Sequence, residues 1–316
     1  MDHLGNCSRS ISKSETFFRP GTSFMLLNAY PSTITDFMGW PMLEIDRRKW
    51  IFRTKEIWFC DDPRYNYDVQ LTAYDSVIFN ACKSKVNLPN FKREEQFTVI
   101  IDLTKGLDSI RKEMSKRCRY GISRAIRDGV AVKMNQDYDR FYSMNKSFNQ
   151  MKEIPPTFLS RSDLEALKAY GTLFVSQFNE EILAGMFCIE DESNIRWLVG
   201  ASKRLQVSRD MAALIGNANR LTIWEIIKYA KAKGIRQFDL GGYYMGQHGT
   251  DEELERINFF KKSVGGEIAP RYHYRSDSTI YRWARTCYDK LSAAQIIRAI
   301  AIFAELLFFA TVKALS

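Results

Sequence analysis

Residues 217–242 read NANRLTIWEIIKYAKAKGIRQFDLGG, and the register of this stretch decides the fold. Leu221, Trp224, Ile227 and Ala230 recur at spacings of three, so 217–233 is predicted to be a helix with one apolar stripe. Gly234 falls where such a helix closes, since glycine adopts the left-handed conformation that ends a helix. IRQFDLGG then reads as a buried strand that runs into a Gly-Gly turn at 241–242. A carboxylate, Asp239, ends that predicted buried strand.

Upstream, FTVIIDL (97–103) has the β-branched run of a buried strand. LDSIRKEMSKRCRYGISRAIRDG (107–129) is predicted as one helix. Leu107, Ile110, Met114, Cys118, Ile122 and Ala125 form its apolar stripe, with Asp108 and Ser109 as caps and Gly129 past the end. Lys112, Lys116, Arg119, Ser123 and Arg127 form the opposite, basic stripe. A short strand at 130–134 and two helices, within 137–151 and 160–171, come next. The run 172–202 alternates like a three-strand meander with turns at Asn179–Glu180 and Asp191–Asn194.

Downstream, DEELERINFFKKSVGG (251–266) reads as a helix with acids first and lysines last, matching the helix dipole, and EIAPRYHY (267–274) as a final strand. The expectation is an α+β chain: a mixed, mostly antiparallel sheet with helices on both faces. Residues 1–97 form an N-terminal region of mixed secondary structure, 98–276 the main domain and 277–316 a C-terminal helical tail.

The chain of 316 residues is 45% hydrophobic and carries a net charge of +9, ample for a packed core and favourable to anionic partners such as phosphates, RNA or acidic lipid. Six scattered cysteines without a CxxC pair, and only three histidines, argue against a metal centre and for buried thiols in a reducing compartment. The first 20 residues lack the apolar stretch of a secretory signal. AAQIIRAIAIFAELLFFATVKAL (293–315) is strongly apolar but interrupted by Arg298 and Glu305, which lie on one helical face. It reads as an amphipathic helix, packed on the body or lying on a membrane surface, with a spanning helix as the third alternative.

Three strings in this order resemble the Fem (FemAB) aminoacyltransferases and the GNAT-like acyltransferase superfamily. Arg119, Ile122 and Ala125 match an R-x-x-I-x-x-A helix; Gly234, Phe238, Asp239, Leu240, Gly241 and Gly242 match a G-x-x-x-F-D-L-G-G unit. Phe260, Lys261, Val264, Gly265 and Gly266 match F-K-x-x-F-G-G, with Val264 replacing the second Phe. The matches cover a little over half the chain. The resemblance implies a GNAT-like fold, with residues 1–97 too short for anything but a degenerate first GNAT-like half. It also implies acyl transfer from aminoacyl-tRNA or acyl-CoA to an amine, with no tightly bound cofactor. GASKRLQVSRDMAALIGNANR (200–220) lacks the glycine-rich loop with which CoA-dependent relatives hold pyrophosphate, which favours a different donor.

By resemblance, Lys261 is the candidate for stabilising the reacting centre; its other reading is a solvated helix lysine beside Lys262. Asp239 either orients or deprotonates the amine, or caps the Gly-Gly turn. Gly241 and Gly242 would allow positive φ or a close substrate approach. Tyr243 and Tyr244 would line the acceptor pocket, Arg119 and Arg124 would clamp phosphate, and His248 is a more remote candidate base. Three functions compete: a Fem-like N-acyltransferase acting on a peptidoglycan or polysaccharide precursor, a CoA-dependent N-acetyltransferase acting on a sugar amine or small metabolite, and a non-enzymatic RNA- or membrane-binding protein. The expected location is cytoplasmic, at the inner face of the membrane if the tail binds lipid.

Overall fold

The computed structural model describes residues 33–35, 41–49, 51–66, 73–152, 160–246 and 252–290. The first four strands are β1 (Thr33–Thr35), β2 (Pro41–Lys49), β3 (Phe52–Trp58) and β4 (Ser76–Cys82). Next come β5 (Lys92–Asp102), α1 (Leu107–Glu113), α2 (Lys116–Arg127), β6 (Ala131–Met134), α3 (Tyr138–Met151) and α4 (Arg161–Leu167). The meander is β7 (Gly171–Phe178), β8 (Glu181–Glu190) and β9 (Asn194–Ser202). The chain continues through α5 (Arg209–Ala232), β10 (Gln237–Tyr243), α6 (Glu252–Ser263), β11 (Glu267–Asp277) and α7 (Thr279–Lys290).

All these strands join one sheet in the order β1-β2-β3-β4-β11-β5-β10-β9-β8-β7-β6. Every pairing is antiparallel except β3 with β4 and β9 with β10. The expected mixed, mostly antiparallel α+β sheet is therefore present. The strands of residues 33–82 extend it beyond β11 through the β4–β11 pairing.

Helices cover both faces. On one, Ile122 and Ala125 of α2 and Leu221, Ile227 and Ala230 of α5 pack on Val99, Ile101, Phe238 and Leu240 of the sheet. On the other, Phe141 of α3 and Leu164 of α4 pack on Ile45, Val175, Phe187 and Ile189. Each such aliphatic or aromatic side chain contributes roughly 1.5–3 kcal/mol by leaving water. Gly234, at φ +80°, ends α5 as expected: its N–H reaches the Lys231 carbonyl, and that of Ile235 the Ala230 carbonyl.

The single helix expected at 107–129 is two. The chain breaks at Met114, which is extended, and Ser115 starts α2 by accepting the N–H of Cys118 on its side chain. The apolar stripe runs unbroken through the break, so periodicity alone could not show it. Asp108 and Ser109 do not cap α1; Gly106 occupies that position without a side-chain bond. Asn179 and Glu180 both have positive φ, the geometry of a two-residue hairpin turn.

Cys60, Cys82, Cys118 and Cys188 are buried and form no disulfide. Among the described residues no helix is long and apolar enough to cross a membrane, and no cluster of potential ligands could hold a metal ion. The apolar tail at 293–315 and His248 lie outside the described residues.

Candidate active site

β9 and β10 pair over three rungs only: Asn194 with Gln237, Ile195 with Phe238, and Arg196 with Asp239. Beyond the last rung, β9 continues along β8, while β10 continues along β5 through a bulge between Asp239 and Gly242. Two parallel neighbours thus part inside a sheet, and side chains take up backbone groups at the parting: the Gly241 N–H donates to Asp239, and the Gly242 carbonyl accepts from Lys261. Gly241 stands at the parting with φ +76°; a Cβ there would lie 3.2 Å from the Trp197 carbonyl oxygen and 3.7 Å from Lys261 Nζ. A side chain on Gly242 would meet Gln96 Nε2 at 2.9 Å. Both glycines keep the notch open.

Asp239 is only 5% exposed, and both its oxygens accept hydrogen bonds. Oδ1 accepts from the Thr98 hydroxyl and, at 2.7 Å, from the Gly241 N–H; Oδ2 accepts from Arg196 Nη1. Of its two expected roles, capping the Gly-Gly turn is realised directly. Arg196, equally buried, also reaches Gln96 Oε1 at 3.4 Å and lies over the Trp58 ring at 5.6 Å.

Lys261 is not a solvated helix lysine. It is 7% exposed, its Nζ donates to the Gly242 carbonyl at 2.5 Å, and it lies 5.5 Å from the centre of the Trp197 ring. Burial lowers its pKa to about 8, Arg196 adding to the effect and Asp239 opposing it. Near neutral pH the ammonium persists, held poorly solvated beside Gly241 and Gly242. Such a group stabilises negative charge that develops beside it.

Two further basic groups surround the cluster. Arg271 of β11 is pushed below its ordinary value by burial, with Asp239 opposing. Burial, then Arg196, lowers the His273 pKa to about 4; its Nδ1 lies 3.0 Å from Asn80 Oδ1, and its buried Nε2 has no partner. On the Gln237 side, a cavity of about 310 Å³ is lined by Phe59, Asp61, Lys83, Asp102, Arg236 and Gln237. A narrow recess sharing Phe59, Lys83 and Gln237 with it reaches Asp239 and Arg271.

The structure brings Lys261, Asp239, Gly241 and Gly242 together. Tyr243 packs against the core on the α2–α5 face, and the backbone of Tyr244 is clasped by the Asn258 side chain of α6, at 2.9 Å and 2.6 Å. Arg119 is turned onto the Lys112 and Met114 carbonyls, satisfying the C-terminus of α1, and Arg124 pairs with Asp128 at 2.8 Å on the surface. Neither guanidinium joins the Asp239 cluster. Sequence reasoning did not find Thr98, Arg196, Trp197, Arg271 and His273. The one available signal was a charged residue, Arg196, inside an apolar strand.

No family model and no curated protein matches the sequence. Solved structures do. FemX superposes with a TM-score of 0.51 at 14% identity, over 77% of this chain and 86% of its own. The C-terminal domain of a putative lysylphosphatidylglycerol synthetase from Agrobacterium fabrum gives 0.47 at 13%, over 81% and 87%. The N-myristoyltransferase of Saccharomyces cerevisiae gives 0.39 at 11%, over 74% and 63%. At these identities the likeness concerns the fold: the chain has the GNAT-like fold that it shares with FemX.

Proposed function

We propose that the protein is an N-acyltransferase that moves an acyl or aminoacyl group onto an amine of a cell-envelope precursor. The observation that carries this reading is the buried Lys261 ammonium at the point where β9 and β10 part. An acyl carbonyl entering the notch would find a desolvated cation beside its oxygen. The amine would approach along the recess that reaches Asp239 from the Gln237 side. Its nitrogen forms a bond to the carbonyl carbon, Lys261 stabilises the tetrahedral oxyanion, and the ester oxygen or thioester sulfur of the donor leaves with the amine's proton. No covalent enzyme intermediate is needed, because juxtaposing two bound reactants supplies much of the rate.

Asp239 acts in this scheme by position: held by Thr98, Gly241 and Arg196, it fixes the turn that bears the Gly242 carbonyl. The segment between β9 and α5, residues 203–208, contains no glycine, which supports an aminoacyl ester over a CoA thioester as donor. Incubation with labelled aminoacyl-tRNA or labelled acetyl-CoA, each with amine-bearing peptidoglycan precursors, should give amide product. Lys261→Ala should lower turnover by about 100-fold, as expected for loss of an oxyanion-stabilising group. Product at the wild-type rate in a folded Lys261→Ala protein would remove the proposed mechanism.

A further inference from the structure

Arg220 of α5 lies where α2, α5 and α6 meet, away from Asp239, and its charge is not balanced. Its Nη1 donates to the Gly216 carbonyl of its own helix at 2.6 Å, and its enclosed Nε has no acceptor. Its guanidinium sits 5.5 Å from the centre of the Phe260 ring, the residue before Lys261. Across from it, α2 carries Gly121, where a Cβ would come within 2.7 Å of Arg220 Cδ. The space that admits Arg220 therefore exists because residue 121 has no side chain.

The other charged groups acting on Arg220 have the same sign. Arg117 is exposed one turn before Gly121 on α2, and Arg204 is exposed in the turn that leads into α5. Burial first, and then these two arginines, lower the Arg220 pKa; Cys118 is the one group that opposes them. The Cys118 thiol is itself raised by burial, so at neutral pH it brings no negative charge. Among the described residues no carboxylate pairs with Arg220. A guanidinium cannot relieve such a site by losing its proton, and its planar fork matches phosphate oxygens.

We propose that Arg220, assisted by Arg117 and Arg204, binds a phosphate ester of the acyl donor, one side chain away from Lys261. This rests on the acyltransferase reading for the identity of the ligand, though not for the site itself. A phosphate here would compensate three like charges. The Phe260–Lys261 step then places the donor's phosphate and its carbonyl on adjacent residues of α6.

Calorimetric titration with inorganic pyrophosphate tests the site without turnover. Wild-type protein should bind saturably, Arg220→Met at least tenfold more weakly, and the exposed variants Arg117→Ala and Arg204→Ala several-fold more weakly. Arg140→Ala, an exposed site on the opposite face of the sheet, should match wild type. The surface variants keep the test valid if Arg220→Met does not fold. Competition by coenzyme A would identify a thioester donor, and competition by an RNA acceptor-stem hairpin an aminoacyl-tRNA. Pyrophosphate binding that neither displaces would overturn the donor assignment. No binding, or equal binding by wild type and the arginine variants, would overturn the site. Unchanged affinity in Arg220→Met alongside Lys261-dependent transfer defeats this inference alone. Lost affinity in a protein that acylates no amine defeats the acyltransferase reading alone.

Discussion

Arg196 and Asp239 form an ion pair across the last rung that joins β9 to β10, and both are almost wholly buried. The pair closes the sheet on one side and marks where it opens on the other. Thr98 and the Gly241 N–H complete the coordination of the carboxylate, so the charge is compensated from three strands' worth of backbone and side chain.

Removing one partner should therefore be severe. Arg196→Leu leaves the Asp239 carboxylate buried without its cation and is expected to destabilise by about 3–5 kcal/mol. Arg196→Leu combined with Asp239→Leu should lose markedly less than the sum of the two single changes. Urea denaturation of all three proteins measures the coupling; strict additivity would show that the pair does not act as a unit.

Lys261 links stability to alkaline pH. Its pKa is about 8 when folded and 10.5 when unfolded, so between these values the unfolded chain holds more protons and stability rises with pH. Relative to Lys261→Met, the wild type should gain about 2 kcal/mol from pH 8 to pH 10. Parallel curves for the two proteins would mean an ordinary, hydrated ammonium. Turnover should move the other way, falling above about pH 8 as the ammonium is lost.

His273 links stability to acid. Its folded pKa of about 4 lies below the ordinary 6.5, so the neutral ring is favoured and stability falls as pH drops through that window. His273→Gln should flatten this limb, reducing the loss between pH 7 and pH 5 by about 2 kcal/mol. Unfolding midpoints measured at pH 5, 6 and 7 would expose the difference.

Gly241→Ala tests the notch. The residue has φ +76°, and its new methyl would sit 3.2 Å from a backbone oxygen that cannot move freely. A destabilisation of about 1–2 kcal/mol is expected from the left-handed conformation alone. Transfer activity should fall further than the loss of folded protein explains, because the methyl also approaches Lys261 Nζ.

Much of the architecture was legible in the letters. Leu221, Trp224, Ile227 and Ala230 announced the buried face of α5, Gly234 its end, and Asn179–Glu180 the β7–β8 hairpin. These features are local: side-chain periodicity, backbone sterics and turn geometry act within a few residues. The strings around Asp239 and Lys261 likewise pointed to the two residues that the fold brings together.

Only the tertiary structure decided what those residues meet. Arg196 stands 43 positions from Asp239, and Thr98 stands 141 positions away, so no spacing rule could join them. The break at Met114–Ser115 escaped because a change of direction between helices leaves the apolar stripe intact. The basic residues changed meaning for the same reason. Arg119 was drawn onto carbonyls of the preceding helix, while Arg220, one letter in a helix chosen for its apolar stripe, was left half-buried without an anion. Sequence fixes which groups carry charge; which of those charges are compensated depends on strands and helices that meet only when the chain has folded.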